Sequence, residues 1–333
     1  MIMLVSCTVV GLAVVATRMH GLAAGVGVFA VLVLQIELLV LSRHLWPEGL
    51  LVAIHAGIAV VLIAGGDATL HAFLLGGMSA LAFLVRFEQI ILVPVIAVAG
   101  FFSGTLVAAT DFLLLALPPA LSWWFLSVRN ARRYGIALPD TTWHFNLQIA
   151  REEAARYSAN QPIRITRIVS NVVQDSPPRL TAENWRSIQL WQWPAGLVNM
   201  PQRAWALAGP DSFIRQRLFA HGGGAYAVLL PRWADLWLQW AFPLLFSLSF
   251  VHALQIGELP VWLWPALAFM VATAAVFTRT RYRLPVIPVL VFWVVPSMQQ
   301  WLQGATPAAI LLWLTAGVFL ACLLVRFPSR QEL

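Results

Sequence analysis

The sequence predicts an all-α polytopic membrane protein, with about ten transmembrane helices and one mixed extramembrane domain between the sixth and the seventh. Three observations predict it. Of 333 residues, 60% are hydrophobic, and the mean hydropathy is +0.79, more apolar surface than a soluble domain can bury. The apolar residues gather into runs near the ~20 residues needed to cross a hydrocarbon core about 30 Å thick. The central stretch 128–235 contains no run of that length.

Six spans are expected before residue 128, at 1–17, 22–41, 49–65, 69–85, 89–103 and 106–127. They form an N-terminal bundle, 1–127. Four more are expected at 236–256, 260–277, 284–300 and 306–325, within a C-terminal bundle, 236–333. The weakest break is "GFFSGT", between the fifth and sixth. Gly21 and Gly25 form a small-xxx-small pair suited to close helix contact. Residues 128–235 hold 13 arginines against 7 carboxylates, a net of +6, with scattered Trp and Pro. Stretches such as "NWRSIQLWQWPAGL" read as short helices on the bilayer surface, with Trp at headgroup depth. "GGG" at 222–224 reads as a joint. It is no phosphate cradle, because no Lys-Ser/Thr follows it.

Every fixed cation is arginine, and there is no lysine. Arginine offers a planar fork that grips phosphate or carboxylate through two bonds. Cys7 and Cys322 lie in opposite terminal runs, without zinc or redox spacing. His20, His55, His71 and His252 likewise lack metal-ligand spacing and read as structural. No metal, no cofactor and no nucleic-acid partner is expected. The chain opens "MIMLVSCTVV", without the charged n-region of a cleavable signal peptide.

If the spans alternate sides, one face receives the N-terminus, "SRHLWPEG" (42–49), "RFEQ" (86–89), the 128–235 domain, "TRTRYR" (278–283) and the C-terminal tail. The other receives "TRMHG", "GGDAT", the 104 region, "IGELP" and "QQWLQGATP". Near membrane ends the first face carries about ten arginines and the second only Arg18. Two readings compete. The positive-inside rule makes the arginine-rich face cytoplasmic. Alternatively, the arginines gather around an anionic ligand such as a lipid phosphate.

Several features point to a site. Arg43, His44 and Glu48 fall within six residues at one membrane edge, and Arg86 and Glu88 at another edge of the same face. Glu37 lies inside a span, where an ionisable group faces a partner or a cavity; Arg43 or Arg86 could pair with it, and a wetted place near the interface is the alternative. In "RYRLPVIP", Pro285 and Pro288 open a helix where a missing N–H costs little. Its positive dipole end would add to Arg281 and Arg283, beside Tyr282 at the interface. Asp67 and Glu258 read as solvated caps, and Asp111 as an N-cap to the sixth span.

Four stretches resemble GT-C membrane glycosyltransferases, the superfamily of the dolichyl-phosphate-mannose protein mannosyltransferases and the lipid A aminoarabinose transferase. "LVLSRHLWPEGLLVAI" (39–54) is similar to a family segment carrying a glutamate, which falls on Glu48. "LLGGMSALAFLVRFEQIILVPV" (74–95) resembles the family's span with Arg-Pro at its end. "WWFLSVRNARRYGIALPDTTWHFNL" (123–147) looks like its exit from the membrane into an external domain. "RYRLPVIPVL" (281–290) resembles its late span. The matches keep family order and cover most of the chain.

The resemblance implies a polyprenyl-phosphate-linked sugar donor, used on the periplasmic face of a bacterial inner membrane. It also implies an aspartate general base in a first external loop and cationic residues that stabilise the departing lipid phosphate. Arg281, Arg283, Arg43 and Arg86 are the expected phosphate partners, with Glu48, Tyr282, His44 and Glu37 in support. The catalytic base has no matching position. The family's first span and its acidic loop would lie ahead of residue 1, so a protein partner supplying such spans is one expectation. A non-catalytic membrane subunit is the second reading. A lipid or glycan transporter is the third, and it would need inverted repeats or broken helices, of which no convincing trace is present.

Overall fold

The structure is a computed structural model. It describes residues 1–35, 38, 47–141, 145, 148–149, 152, 155–156, 171, 174, 249–250, 252–254, 257, 259–276, 284–304 and 315. Among these the chain is mostly helical and forms no strand. Most of the expected spans 236–256 and 306–325 and most of the 128–235 domain lie outside the described residues. The rest divides into two compact units. One holds the described residues of Met1–Ala64, Leu207–Leu267 and Thr280–Arg326, and the other those of Gly65–Ala206, Ala268–Arg279 and Phe327–Leu333.

The first unit begins with a hairpin of α1 (Ile2–His20) and α2 (Leu22–Leu34). Its corner is Gly21, with φ 90, a value that disfavours any side chain. Gly25 serves a different purpose. A Cβ there would fall onto the Thr17 side chain and 2.8 Å from the Ala13 carbonyl oxygen. The small-xxx-small pair therefore divides its work: Gly21 turns the chain and Gly25 lets the backbones approach. The Thr17 hydroxyl donates to the Ala13 carbonyl at 2.9 Å, so the contact leaves no polar atom stranded.

The third helix, α3 (Pro47–Ala64), starts beside the start of α1, since a Cβ on Gly49 would stand 2.5 Å from the Met1 sulfur. Val5, Val9, Leu12 and Ala16 form one stripe of α1 at helical spacing. That stripe packs with Val28 and Leu32 of α2 and with Val52 and Ala56 of α3. Ile287 and Val291 join the same core from a late helix, Ile287–Gly304. Trp262 meets Phe292 edge-on, with ring centroids 5.2 Å apart.

The second unit is built around α4 (Ala68–Val85), α5 (Leu92–Phe102) and α6 (Ala109–Tyr134). Asp67 caps α4, its Oδ1 accepting the Leu70 N–H at 2.9 Å, as expected of it. A 3-10 turn, Phe87–Ile91, leads into α5. The break "GFFSGT" is a real reversal. Gly104 has φ 72, and the Leu106 N–H returns to the Gly100 carbonyl at 2.9 Å.

Two contacts fix the direction of α6 against α4. Gly76 meets the backbone of Leu114 and Leu115, and Phe83 stacks on Trp123 at 5.9 Å. Residue number rises together along both helices, so α4 and α6 run parallel, with α5 as the crossover. The shared direction of α4 and α6 is the one expected of the fourth and sixth spans. It puts the "RFEQ" turn and the last turns of α6 at the same end of the unit.

Among the described residues four helices are long and apolar enough to cross a membrane: α1, α3, α4 and α6. Others are shorter than their expected spans. Helix α2 has 13 residues and ends at Gln35. The fifth expected span is a 3-10 turn plus the 11 residues of α5. Trp264–Val276, here α7, also has 13 residues after a 3-10 turn at Val261–Leu263. The late helix Ile287–Gly304, here α8, is not shortened: its 18 residues start later than the expected span 284–300 and run past it, with Ser297, Gln299, Gln300 and Gln303 in its second half. Helix α6 runs on to Tyr134, past the expected exit at 127, because "SVRNARRY" contains no Gly or Pro to stop it before Gly135. Gly135 ends it in the left-handed conformation, donating to the Ala131 carbonyl at 2.9 Å.

Candidate functional site

Of the eight residues the sequence nominates, Arg86 and Glu48 lie within the described residues. Arg281, Arg283, Arg43, Tyr282, His44 and Glu37 lie outside them, as does Glu258. Arg86 and Glu48 belong to different units, so each is built from its own surroundings.

Arg86 closes α4. Its backbone is extended, with φ −148, and its N–H still reaches the Ala82 carbonyl at 2.9 Å. The reversal that follows is pinned on both sides. The Gln89 N–H donates to the Arg86 carbonyl at 3.0 Å, and Gln89 is fully buried. Phe87 packs between Phe83 and Trp123, at 5.8 and 5.6 Å between centroids. Three rings thus lock the turn to α6 in offset and tilted geometry.

Within this frame the Arg86 Nη2 donates to Glu88 Oε1 at 3.1 Å, with side chains only 14% and 24% exposed. The sequence places both residues at one membrane edge but does not anticipate that they neutralise each other. A phosphate arriving at Arg86 would compete with a carboxylate already in place. Arg86 is thus an oriented guanidinium with a compensated charge.

Glu48 sits in the first turn of α3, where a carboxylate complements the helix dipole. It is buried, and it is not without a partner. Its neighbour Gly49 touches the Met1 side chain, so Glu48 lies where α1 and α3 both begin. Pro288 is the second residue of α8, as the sequence predicts for an opening proline, whereas Pro285 lies in the turn before the helix. Leu284, Val286 and Ile287 around that start are buried.

Asp111 is placed one turn inside its helix, which corrects the expectation of an N-cap. The N-cap of α6 is Ala108, and Asp111 occupies the third helical position. From there its Oδ2 reaches back to the N–H groups of Val107 and Ala108, at 3.0 and 2.9 Å. This is one half of a capping box; the alanine has no oxygen to return the bond. A cap and this back-bond satisfy the same orphan N–H groups, which is why the spacing "AATD" reads either way.

One polar cluster has no counterpart among the nominated residues. Asn130 is buried near the end of α6. Its Nδ2 donates to the Leu138 and Pro139 carbonyls at 2.7 and 3.0 Å. Its Oδ1 accepts from Arg129 Nε and Nη2 at 3.2 and 3.1 Å. The signal was present in the sequence, as an asparagine between arginines just before a glycine stop.

His71 is buried in the first turn of α4, and its Nδ1 has no hydrogen-bond partner among the described residues. No group of three or more metal-ligating side chains occurs among the described residues. Compared with known proteins, the chain matches no family profile, no curated protein and no solved structure.

Proposed function

We propose that this chain is a GT-C-like integral membrane glycosyltransferase, complete or partial, with about ten spans. It would transfer a sugar from a polyprenyl-phosphate donor on the periplasmic face of a bacterial inner membrane. The observation that carries the reading is the parallel packing of α4 and α6. It brings the "RFEQ" turn and the "RNARRYG" exit to one end of their unit, as two of the family-like segments require. Support also comes from Glu48, held at the start of α3, and from Pro288 at the start of α8.

In this mechanism cations stabilise the lipid phosphate as the sugar leaves. Arg281 and Arg283 are the first candidates, and Arg43 and Arg86 the second. Glu48 orients an arginine or a sugar hydroxyl. The test uses the full chain in detergent with farnesyl phosphate as probe. Arg283→Ala should lose binding with little change in melting temperature, and equal binding removes the assignment. Sugar release from a labelled polyprenyl-phosphate donor then tests transfer itself. Labelling of cysteines placed in "TRTRYR" from outside intact cells tests the orientation.

A second reading is favoured by four of the six described carboxylates. Asp67 and Asp111 hold helix N-termini, while Glu88 and Glu152 pair with Arg86 and Arg156. None of these four is available as a general base. A non-catalytic subunit that binds lipid phosphate and acts on a protein partner through 128–235 would bind farnesyl phosphate but release no sugar.

A further inference from the structure

The outward face of α6 changes chemistry along its length in an ordered way. Its inward stripe is Asp111, Leu115 and Pro119, all buried. On the other side Leu117 and Leu121 are exposed, then Trp124 and Phe125 at 64% and 59%, then Arg129 and Arg132, also exposed. Leu117, Leu121, Phe125 and Arg132 fall within about 80° of one another around the helix, and Arg129 lies at the edge of that face, next to buried Asn130. Leu121 to Arg129 is eight residues, or about 12 Å along the axis.

The arginines here differ from Arg86 and Arg156, which have carboxylate partners. Among the described residues no carboxylate pairs with Arg129, Arg132 or Arg133. Arg133 lies over the Tyr134 ring at 5.7 Å. Arg129 is held from one side, two of its nitrogens bound to the Oδ1 of buried Asn130. Asn130 is itself fixed by the Leu138 and Pro139 carbonyls. A guanidinium has five donors in a rigid fork. Fixing one edge leaves the others aimed outward and lowers the entropy lost when an anion arrives.

We propose that this face of α6 binds one anionic phospholipid: acyl chain along Leu117 and Leu121, glycerol region at Trp124 and Phe125, phosphate on Arg129 and Arg132. The order of apolar, aromatic and cationic residues reproduces the order of groups down a lipid molecule. Topological anchoring would use the same arginines without needing one of them pre-set by a buried amide. The site stands whether or not the chain is a transferase.

The experiment is native mass spectrometry of the full chain in mild detergent, titrated with phosphatidylglycerol or phosphatidylcholine. Wild type should prefer phosphatidylglycerol, and the preference should fall as salt rises. Arg129→Gln should weaken phosphatidylglycerol about fivefold, and R129Q/R132Q about 25-fold, at one surface charge each. R132K should retain most of the preference and R129K should lose part of it, because lysine keeps the charge but cannot make both bonds to Asn130; this pair covers the case in which the glutamine variants fail to fold. Soluble glycerophosphate should not compete, because it lacks the chain. Equal binding of the two lipids by wild type, a salt-insensitive preference, or undiminished affinity in a folded R129Q/R132Q each overturns the proposal. So does full competition by glycerophosphate.

Discussion

Gly76 of α4 lies against the backbone of Leu115 in α6: a Cβ on Gly76 would stand 2.9 Å from the Leu115 carbonyl oxygen and 2.5 Å from that of Leu114. Those two carbonyls are special. In a helix they would accept from the N–H groups four residues on, which here are Pro118 and Pro119. Proline has no N–H, so both oxygens lack their usual donor. The glycine therefore admits a polar strip of backbone at the point of closest approach.

Gly76→Ala should accordingly be destabilising. The obstacle is backbone, which cannot swing aside as a side chain could, so a loss of about 1–3 kcal/mol is expected. Gly77 is the internal control. Nothing lies within 4 Å of a Cβ at that position. Gly77→Ala should be neutral or stabilise by up to about 1 kcal/mol through helix propensity. Thermal unfolding of both variants in one detergent checks the pair. Similar melting temperatures would mean that α4 and α6 do not meet at Gly76.

Asp111→Ala should cost about 1 kcal/mol, because two N–H groups at the start of α6 lose their acceptor. Asp111→Asn should cost less, since an amide oxygen can still accept. Ligand binding should be unchanged in both. A variant that keeps its melting temperature but loses binding of farnesyl phosphate would move Asp111 from scaffold to site.

How far the sequence could be read differs from residue to residue. Asp67 was legible because an aspartate before an apolar run has one common use. Asp111 was legible in kind but not in position, because a cap and a back-bond from the third residue satisfy the same N–H groups. Gly21 and Gly25 were legible as a spacing. Which of the two turns and which packs depends on a tertiary contact with Thr17. The pairing of Arg86 with Glu88 was hidden, since two residues apart on a helix they would not face each other. Only the turn after α4 folds them together. Helix length was the least legible feature. Hydropathy marks where a chain can enter lipid, not where its hydrogen bonds stop, so α6 runs past its expected end and α2 stops short.

The Arg86–Glu88 pair yields a prediction with a definite sign. If Arg86 takes a lipid phosphate, Glu88 is its competitor in the resting protein. Glu88→Gln should then strengthen binding of farnesyl phosphate, and Arg86→Gln should weaken it. The pair is mostly buried, so breaking it costs about 1–3 kcal/mol, and the melting temperature of each variant is measured beside its binding. Binding measured in detergent at low salt checks it. Weaker binding in Glu88→Gln would show that the carboxylate holds Arg86 in its working orientation instead of blocking it.

Asn130 supports the sharpest stability prediction. Its amide joins three parts of the chain: the Arg129 side chain through Oδ1, and the Leu138 and Pro139 carbonyls through Nδ2. Asn130→Ala strands two carbonyls and frees Arg129, at about 1–3 kcal/mol for the buried groups left unsatisfied. Asn130→Asp tests which half matters. The carboxylate would hold Arg129 at least as well, but it has no donor for Leu138 and Pro139, and two carbonyl oxygens would face a negative charge. Asn130→Asp should thus loosen the segment after Gly135 at least as much as alanine does. Limited proteolysis between residues 135 and 141, followed by mass mapping, reads this directly. Protection equal to wild type in Asn130→Asp would mean that Arg129, and not the two carbonyls, is what the asparagine is there to hold.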